Sequence, residues 1–317
     1  MNLNTKILII GFGSIGQRHY GNLLKLGYKN VFVYDIDPRK IPRRVKKINS
    51  LSVKELGDFK ISFVCNPTSL HIKTALLAAK AKNHLFIEKP LSSNLKGAKE
   101  LVALCRKNEL ITMVACNLRF DPCLQRLKEL LDKGFLGKVF ALHSEYGNYL
   151  PYQRKGRDYR KTYAARKEKG GGIILDDIHS FDLLFWLNNF KALKNIQLCY
   201  DKVSRLAIDT EDISVAVLRF GNKVIGSIRS DYLQQRKSRS LKVIGEKGNF
   251  VWDFREGALY FEDRFLRKKI FQPKFQDQNK MYIDEIKYFL KKTEEESNTF
   301  NDLEKSLIVL KTVLNSK

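Results

Sequence analysis

Residues 6–35, KILIIGFGSIGQRHYGNLLKLGYKNVFVYD, restrict what this chain can become more than any other stretch of it. The run from Lys6 to Ile10 is short and almost wholly apolar, as a parallel strand covered on both faces requires. Gly11, Gly13 and Gly16 follow at the G-x-G-x-x-G spacing. The first glycine allows a tight turn, the second lets a pyrophosphate approach the backbone, and the third lets a helix pack close to the strand. Ser14 and Ile15 open that helix, whose free N–H groups and dipole suit a phosphate. Asp35 ends the next apolar run, 19 residues beyond Gly16, where a carboxylate accepts hydrogen bonds from the adenosine ribose. A glycine triplet alone is weak evidence; strand, helix and acid at these distances together specify a dinucleotide site. Asp35 repels a 2′-phosphate, which favours NAD, while Arg39 and Lys40 close behind leave NADP open.

The same alternation continues. Strands are expected over 61–65, 84–87 and 110–116, helices over 71–81 and 94–107, and a short helix with one more strand within 41–58. Strands alternating with helices of this length imply βαβ units and a parallel sheet. Near Asp121-Pro122 the character changes. A helix over 123–133 closes with Gly134, and strand-like segments follow at 139–149, 213–220, 223–232, 241–244 and between 250 and 271. Gly221-Asn222, Gly245-Glu246-Lys247-Gly248 and Glu256-Gly257 mark turns between antiparallel neighbours. One helix, 175–187, interrupts the series, and two more close the chain at about 277–293 and 302–315. The expected fold is therefore an α/β Rossmann domain with a doubly wound parallel sheet over 1–120. An α+β domain with an open, mostly antiparallel sheet follows over 121–317.

Several segments sit in order along nearly the whole chain: GFGSIG, Asn66-Pro67-Thr68 followed by His71, Glu88-Lys89-Pro90, Asn117-Leu118-Arg119-Phe120, and GGGIILDDIHSFD. In this the chain resembles the Gfo/Idh/MocA oxidoreductases, pyridine-nucleotide enzymes that act mostly on sugars, cyclitols and their derivatives. The resemblance implies that Asn66, Pro67, His71, Glu88, Lys89 and Asn117 border the dinucleotide. It also implies that Arg119 lies on the substrate side and that the Lys89–Pro90 bond is cis. Many family members place the helix acid four residues before the histidine, whereas here Asp176 precedes His179 by three. Either spacing keeps two side chains on one helix face, and the acidic role stays open between Asp176 and Asp177.

Oxidation of a secondary alcohol by a nicotinamide needs a positioned C–H, a base for the hydroxyl proton and a donor for the developing oxygen charge. Lys89, at the ligand-binding end of a parallel strand, suits the donor; beside a cationic nicotinamide its charged form is disfavoured. His179 suits the base, because imidazole titrates near neutral pH. Asp176 can orient that ring or hold a neighbouring substrate hydroxyl. Residues 149–169, YLPYQRKGRDYRKTYAARKEK, interleave arginines with tyrosines. Tyr149, Arg157, Tyr159 and Arg160 are its substrate-binding candidates, since arginine forks suit carboxylates or phosphates.

Composition decides a few alternatives. The net charge is +24, which fits either a lysine-rich surface or an anionic partner such as a nucleotide-linked or acidic sugar. No recognition helix, zinc motif or RNP-type strand accompanies it, so no specific nucleic acid is expected. The five cysteines are scattered without a C-x-x-C pair, and no histidine spacing suits a metal site. No apolar run approaches the ~20 residues that cross a bilayer, and an early first strand leaves no room for a leader, so a cytoplasmic protein is expected. The expected activity is an NAD(P)-dependent dehydrogenase of a sugar or anionic sugar derivative, in surface-carbohydrate biosynthesis. A cyclitol dehydrogenase and a non-catalytic NAD-binding regulator are the alternatives. A bare face on an open sheet further implies a homodimer or homotetramer.

Overall fold

A computed structural model describes residues 2–153, 156, 158–274 and 277–317. The chain forms two compact units, residues 1–116 with 279–311, and residues 117–278 with 312–317.

The first unit opens with β1 (Ile7–Ile10), α1 (Ser14–Lys25) and β2 (Val31–Tyr34). It continues through α2 (Val53–Leu56), β3 (Ile61–Val64), α3 (His71–Lys80), β4 (His84–Glu88), α4 (Ala98–Lys107) and β5 (Thr112–Ala115). The five strands pair in the order β2-β1-β3-β4-β5, every pair parallel. All four residues of β1, β3 and β5 are buried, which is why these segments read as continuous apolar runs. The extra strand expected within 41–58 does not form. Lys47 makes only an isolated parallel bridge with Val33, and β5 is the fifth strand of this sheet rather than a sixth.

The second unit begins with α5 (Pro122–Asp132), capped by Asp121, whose carboxylate accepts from the N–H groups of Cys123 and Leu124. Then come β6 (Val139–Gly147), α6 (Ile173–Asp176), α7 (Ile178–Leu187), β7 (Leu193–Asp201) and β8 (Ile213–Phe220). The strands β9 (Ile225–Asp231), β10 (Ser238–Gly245), β11 (Gly248–Asp253), β12 (Ala258–Glu262) and β13 (Arg267–Phe271) complete it. The eight-stranded sheet has the order β13-β12-β11-β10-β6-β9-β8-β7. Only β6 and β9 pair in parallel; their neighbours are antiparallel. Along β8 burial alternates, with Ala216, Leu218 and Phe220 inward and Val215, Val217 and Arg219 outward. The α7 helix lies close on the covered face, where a Cβ at Gly226 would come within 2.7 Å of Leu184.

The chain ends with α8 (Gln278–Glu294) and α9 (Leu303–Leu314). Order along the chain alone assigns both helices to the second domain; the structure places residues 279–311 with the first unit. Phe289 of α8 packs its ring against Phe63 and Phe86, at centroid distances of 6.1 and 5.4 Å. No helix among the described residues is long and apolar enough to cross a membrane.

Candidate active site

In the first unit the glycine turn is built as its spacing requires. Gly11 has φ +101°, and a Cβ there would lie 2.5 Å from the Asn66 amide nitrogen. At Gly16 a Cβ would lie 2.0 Å from the Gly11 carbonyl oxygen, so any side chain would drive α1 off the turn. Gly13 differs: the space beside it is open. Asp35 holds the turn from β2, its carboxylate accepting from the Phe12 N–H at 2.7 Å and the Asp37 N–H at 2.9 Å. Lys40 reaches Asp35 at 3.4 Å, and Arg39 forks onto Asp37 at 2.8 and 3.1 Å.

Lys89 follows β4 and is joined to Pro90 by a cis bond. Its backbone N–H donates to Glu88 Oε2 at 3.2 Å, and Glu88 Oε1 meets His19 Nε2 at 2.6 Å. Asn66 donates to Thr74 Oγ1 at 2.7 Å, while its own buried Oδ1 has no partner among the described residues. His71 is fully enclosed, with Nδ1 2.9 Å from the Pro90 carbonyl and Nε2 2.9 Å from the Asn66 carbonyl. Burial holds the His71 pKa below the ordinary imidazole value, so the ring is neutral and has one N–H to give. His71 therefore donates to one of these two carbonyls, Pro90 after β4 or Asn66 after β3. An open glycine at a helix N-terminus, a carboxylate at the second strand and an orphaned amide oxygen fit a dinucleotide.

In the second unit the acid and the histidine do not share one continuous helix. Asp176 ends α6 and His179 stands in the first turn of α7, with Asp177 (ψ 35°) breaking the helix expected over 175–187. Both side chains are buried. Asp176 accepts from the hydroxyl of Tyr163, from Tyr232 Oη at 3.1 Å and from Gln153 Nε2 at 3.4 Å. Burial raises the Tyr232 pKa well above its ordinary value, and the Asp176 charge raises it further. Asp177 faces a different network. It accepts from Arg239 Nη2, Ser180 Oγ and Ser230 Oγ, each at 2.6 Å. With Asp177 enclosed by these three donors, Asp176 is the acid left on the tyrosine side. Tyr232 and Arg239 carried no signal in the sequence, because each is placed by a strand pairing far from the motif it serves.

The substrate-binding candidates stand in different surroundings. Arg119 is 1% exposed. Its fork donates to Asp182 at 2.8 and 2.7 Å, between the rings of Trp186 and Phe190. Both partners of this ion pair are buried. Arg160 forks onto Asp158 at 2.9 and 3.0 Å, and the Tyr159 hydroxyl accepts from the Ala207 N–H at 3.2 Å. Tyr149 is half-buried with its ring 5.1 Å from that of Tyr152. Arg157 lies outside the described residues. Asn117 is buried at the start of a short 3₁₀ turn before α5.

Two family models match the chain. Residues 5–116 match the oxidoreductase family with an NAD-binding Rossmann fold, and residues 124–251 match the GFO/IDH/MocA C-terminal domain. The chain belongs to the Gfo/Idh/MocA oxidoreductase family. As a member it is an enzyme with an NAD-binding domain. The myo-inositol 2-dehydrogenase of Thermotoga maritima is 28% identical to it over 309 residues, spanning 90% of this chain and 87% of that one. Among solved structures, a UDP-N-acetylglucosamine 3-dehydrogenase from Acidithiobacillus ferrooxidans superposes with a TM-score of 0.81 at 20% identity, covering 99% of this chain and 96% of that one. A levoglucosan dehydrogenase bound to NADH and levoglucosan does so with a TM-score of 0.83 at 16% identity, covering 99% and 97%. At these identities the two structures speak for the fold. Among the described residues no group of histidine, cysteine, aspartate or glutamate side chains could hold a metal ion.

Proposed function

We propose that this oxidoreductase transfers a hydride between NAD and a secondary alcohol or ketone of a sugar or sugar derivative, with an anionic sugar as the favoured class. NAD, when bound, takes the hydride from the carbinol carbon. His179 accepts the hydroxyl proton, Lys89 donates a hydrogen bond to the reacting oxygen, and Asp176 holds the alcohol or the imidazole in place. The carrying observation is Asp176. It is a buried carboxylate held by tyrosine hydroxyls and placed three residues before the buried His179. A carboxylate so held has one orientation to offer, which is what positioning a hydroxyl needs.

Support for an anionic substrate comes from the strand that carries Arg239. Burial lowers the Lys237 pKa, and Arg239 two residues on lowers it further, while Asp176 acts against both. Arg239 is already paired with Asp177, which leaves Lys237 as the cation near Asp176 that an acidic sugar would balance. A role in surface-carbohydrate assembly belongs to the same reading, as does a homodimer or homotetramer formed through the outer sheet face of Val215, Val217 and Ile225.

Thermal unfolding with NAD and a panel of myo-inositol, UDP-N-acetylglucosamine and its uronic acid tests the proposal. The substrate class is expected to add stability only when NAD is present and to support NADH formation. His179→Ala is expected to lower kcat by ~10²–10⁴ with NAD affinity kept. Near wild-type turnover in that variant removes His179 from the reaction.

A further inference from the structure

His19 lies on α1, far from Lys89 in the sequence, yet its ring reaches Glu88, the residue just before that lysine. The ring is wholly enclosed, and it is wedged between Phe63, Phe86 and Tyr282 at centroid distances of 5.7, 5.2 and 6.2 Å. Its Nδ1 is buried and faces no partner among the described residues, and its Nε2 meets Glu88 Oε1 at 2.6 Å. Glu88 is 8% exposed and is the last residue of β4. Its second oxygen accepts the Lys89 N–H at 3.2 Å. A carboxylate with each oxygen held by a different donor has little rotational freedom, and a backbone N–H bound to it has less. Phe63 and Phe86 stack at 4.5 Å on the neighbouring strands, so the wall behind the imidazole is itself rigid.

We infer that His19 is a positioning residue: through Glu88 it fixes the backbone from which Lys89 projects, tying that lysine to the helix that opens at the glycine turn. The inference rests on the role of Lys89 given under the proposed function. It assigns no contact with substrate or cofactor to His19. Its distinct consequence is that one helix, α1, sets both the phosphate-facing turn and the placement of Lys89. Displacing the imidazole should therefore disturb turnover far more than it disturbs NAD binding.

The experiment uses the full chain and compares His19→Leu, which fills the aromatic niche without a donor, with His19→Gln, which keeps one. Amide hydrogen exchange is read across β4 and Lys89, and kinetics are read on the panel sugar that the wild-type protein turns over. In His19→Leu the Lys89 amide should exchange roughly tenfold faster while Leu85 to Ile87 keep their protection. The same variant should lose roughly 10- to 100-fold in kcat with KM and the NAD dissociation constant within about threefold. His19→Gln should recover most of both effects. In a Glu88→Gln background, His19→Leu should add little, because residues acting in series do not add.

An unchanged Lys89 amide, a kcat within about twofold of wild type, a His19→Gln variant as damaged as His19→Leu, or simple additivity with Glu88→Gln would each overturn the inference. Should His19→Leu not fold, His19→Asn, too short to reach Glu88, replaces it in the same comparison. Lys89→Ala separates the two readings. Wild-type turnover in that variant removes the proposed function and this inference together, whereas a Lys89-dependent enzyme indifferent to His19 removes this inference alone.

Discussion

Arg119 shows why a residue's type and motif do not fix its role. In the sequence it stands within the segment Asn117-Leu118-Arg119-Phe120, and the family resemblance implies the substrate side. In the structure its fork is closed by Asp182, and both side chains are buried. Removing one partner of such a pair strands the other charge, so Arg119→Ala is expected to lose ~3–5 kcal/mol of stability in urea unfolding. Adding Asp182→Asn should restore part of that loss. Asp121 makes a second case, with a sign that can be worked out. Burial raises its pKa from 3.8 to about 6 in spite of the helix-cap bonds from Leu124 and Cys123. The folded state then binds this proton more tightly than the unfolded state, so the group's contribution to stability falls as pH rises from about 4 to about 7. The loss is up to ~3 kcal/mol. Asp121→Asn keeps an oxygen for the cap and cannot ionise. It should match wild type near about pH 4 and exceed it at about pH 7.5 in paired urea titrations.

The legible elements were those whose burial repeats along the chain. β1, β3 and β5 are enclosed on both faces, and β8 alternates residue by residue, so composition alone marks them. β7 escaped notice for a physical reason. Its pairing with β8 shifts register between Leu193 and Asn195, so Leu193, Ile196 and Leu198 lose the period of two, and most of the strand is exposed. The break at Asp177 was equally hidden, because an apolar run on both sides reads as one helix. The glycine turn, by contrast, follows from its letters, and two of its glycines make separable predictions. Gly16→Ala places a methyl 2.0 Å from the Gly11 carbonyl and should lower both Tm and NAD affinity. Gly13→Ala meets no atom within 4 Å, so Tm should hold while NAD affinity falls roughly tenfold or more as the methyl stands where pyrophosphate approaches. Equal losses of Tm in the two variants would contradict this account of the turn.

At the scale of the molecule, sequence order misplaces the end of the chain, since backbone passes between the two units three times. Nothing in the letters of α8 or α9 states which core they serve; both are ordinary amphipathic helices. The assignment is made by the open edge of the parallel sheet. β5 is an edge strand, and an uncovered edge leaves N–H and C=O groups unpaired. Residues just before α9 supply the missing partners. Val114 N–H donates to the Asn301 carbonyl at 3.0 Å, the Asn301 amide donates to the Val114 carbonyl, and Thr299 Oγ1 donates to the Thr112 carbonyl at 2.6 Å. On α8, Phe289 fills the space beside Phe63 and Phe86, and Asn279 exchanges amide hydrogen bonds with Asn22 of α1 at 2.8 and 3.2 Å. A fragment of residues 1–120 keeps every motif of the dinucleotide site but loses this cover. It should show no cooperative thermal transition and no stabilisation by NAD. Residues 1–116 joined through a Gly/Ser linker to 279–311 should regain both, as read by calorimetry with and without NAD. Cooperative unfolding and NAD binding by the shorter fragment alone would mean that the two terminal helices are dispensable to the first unit.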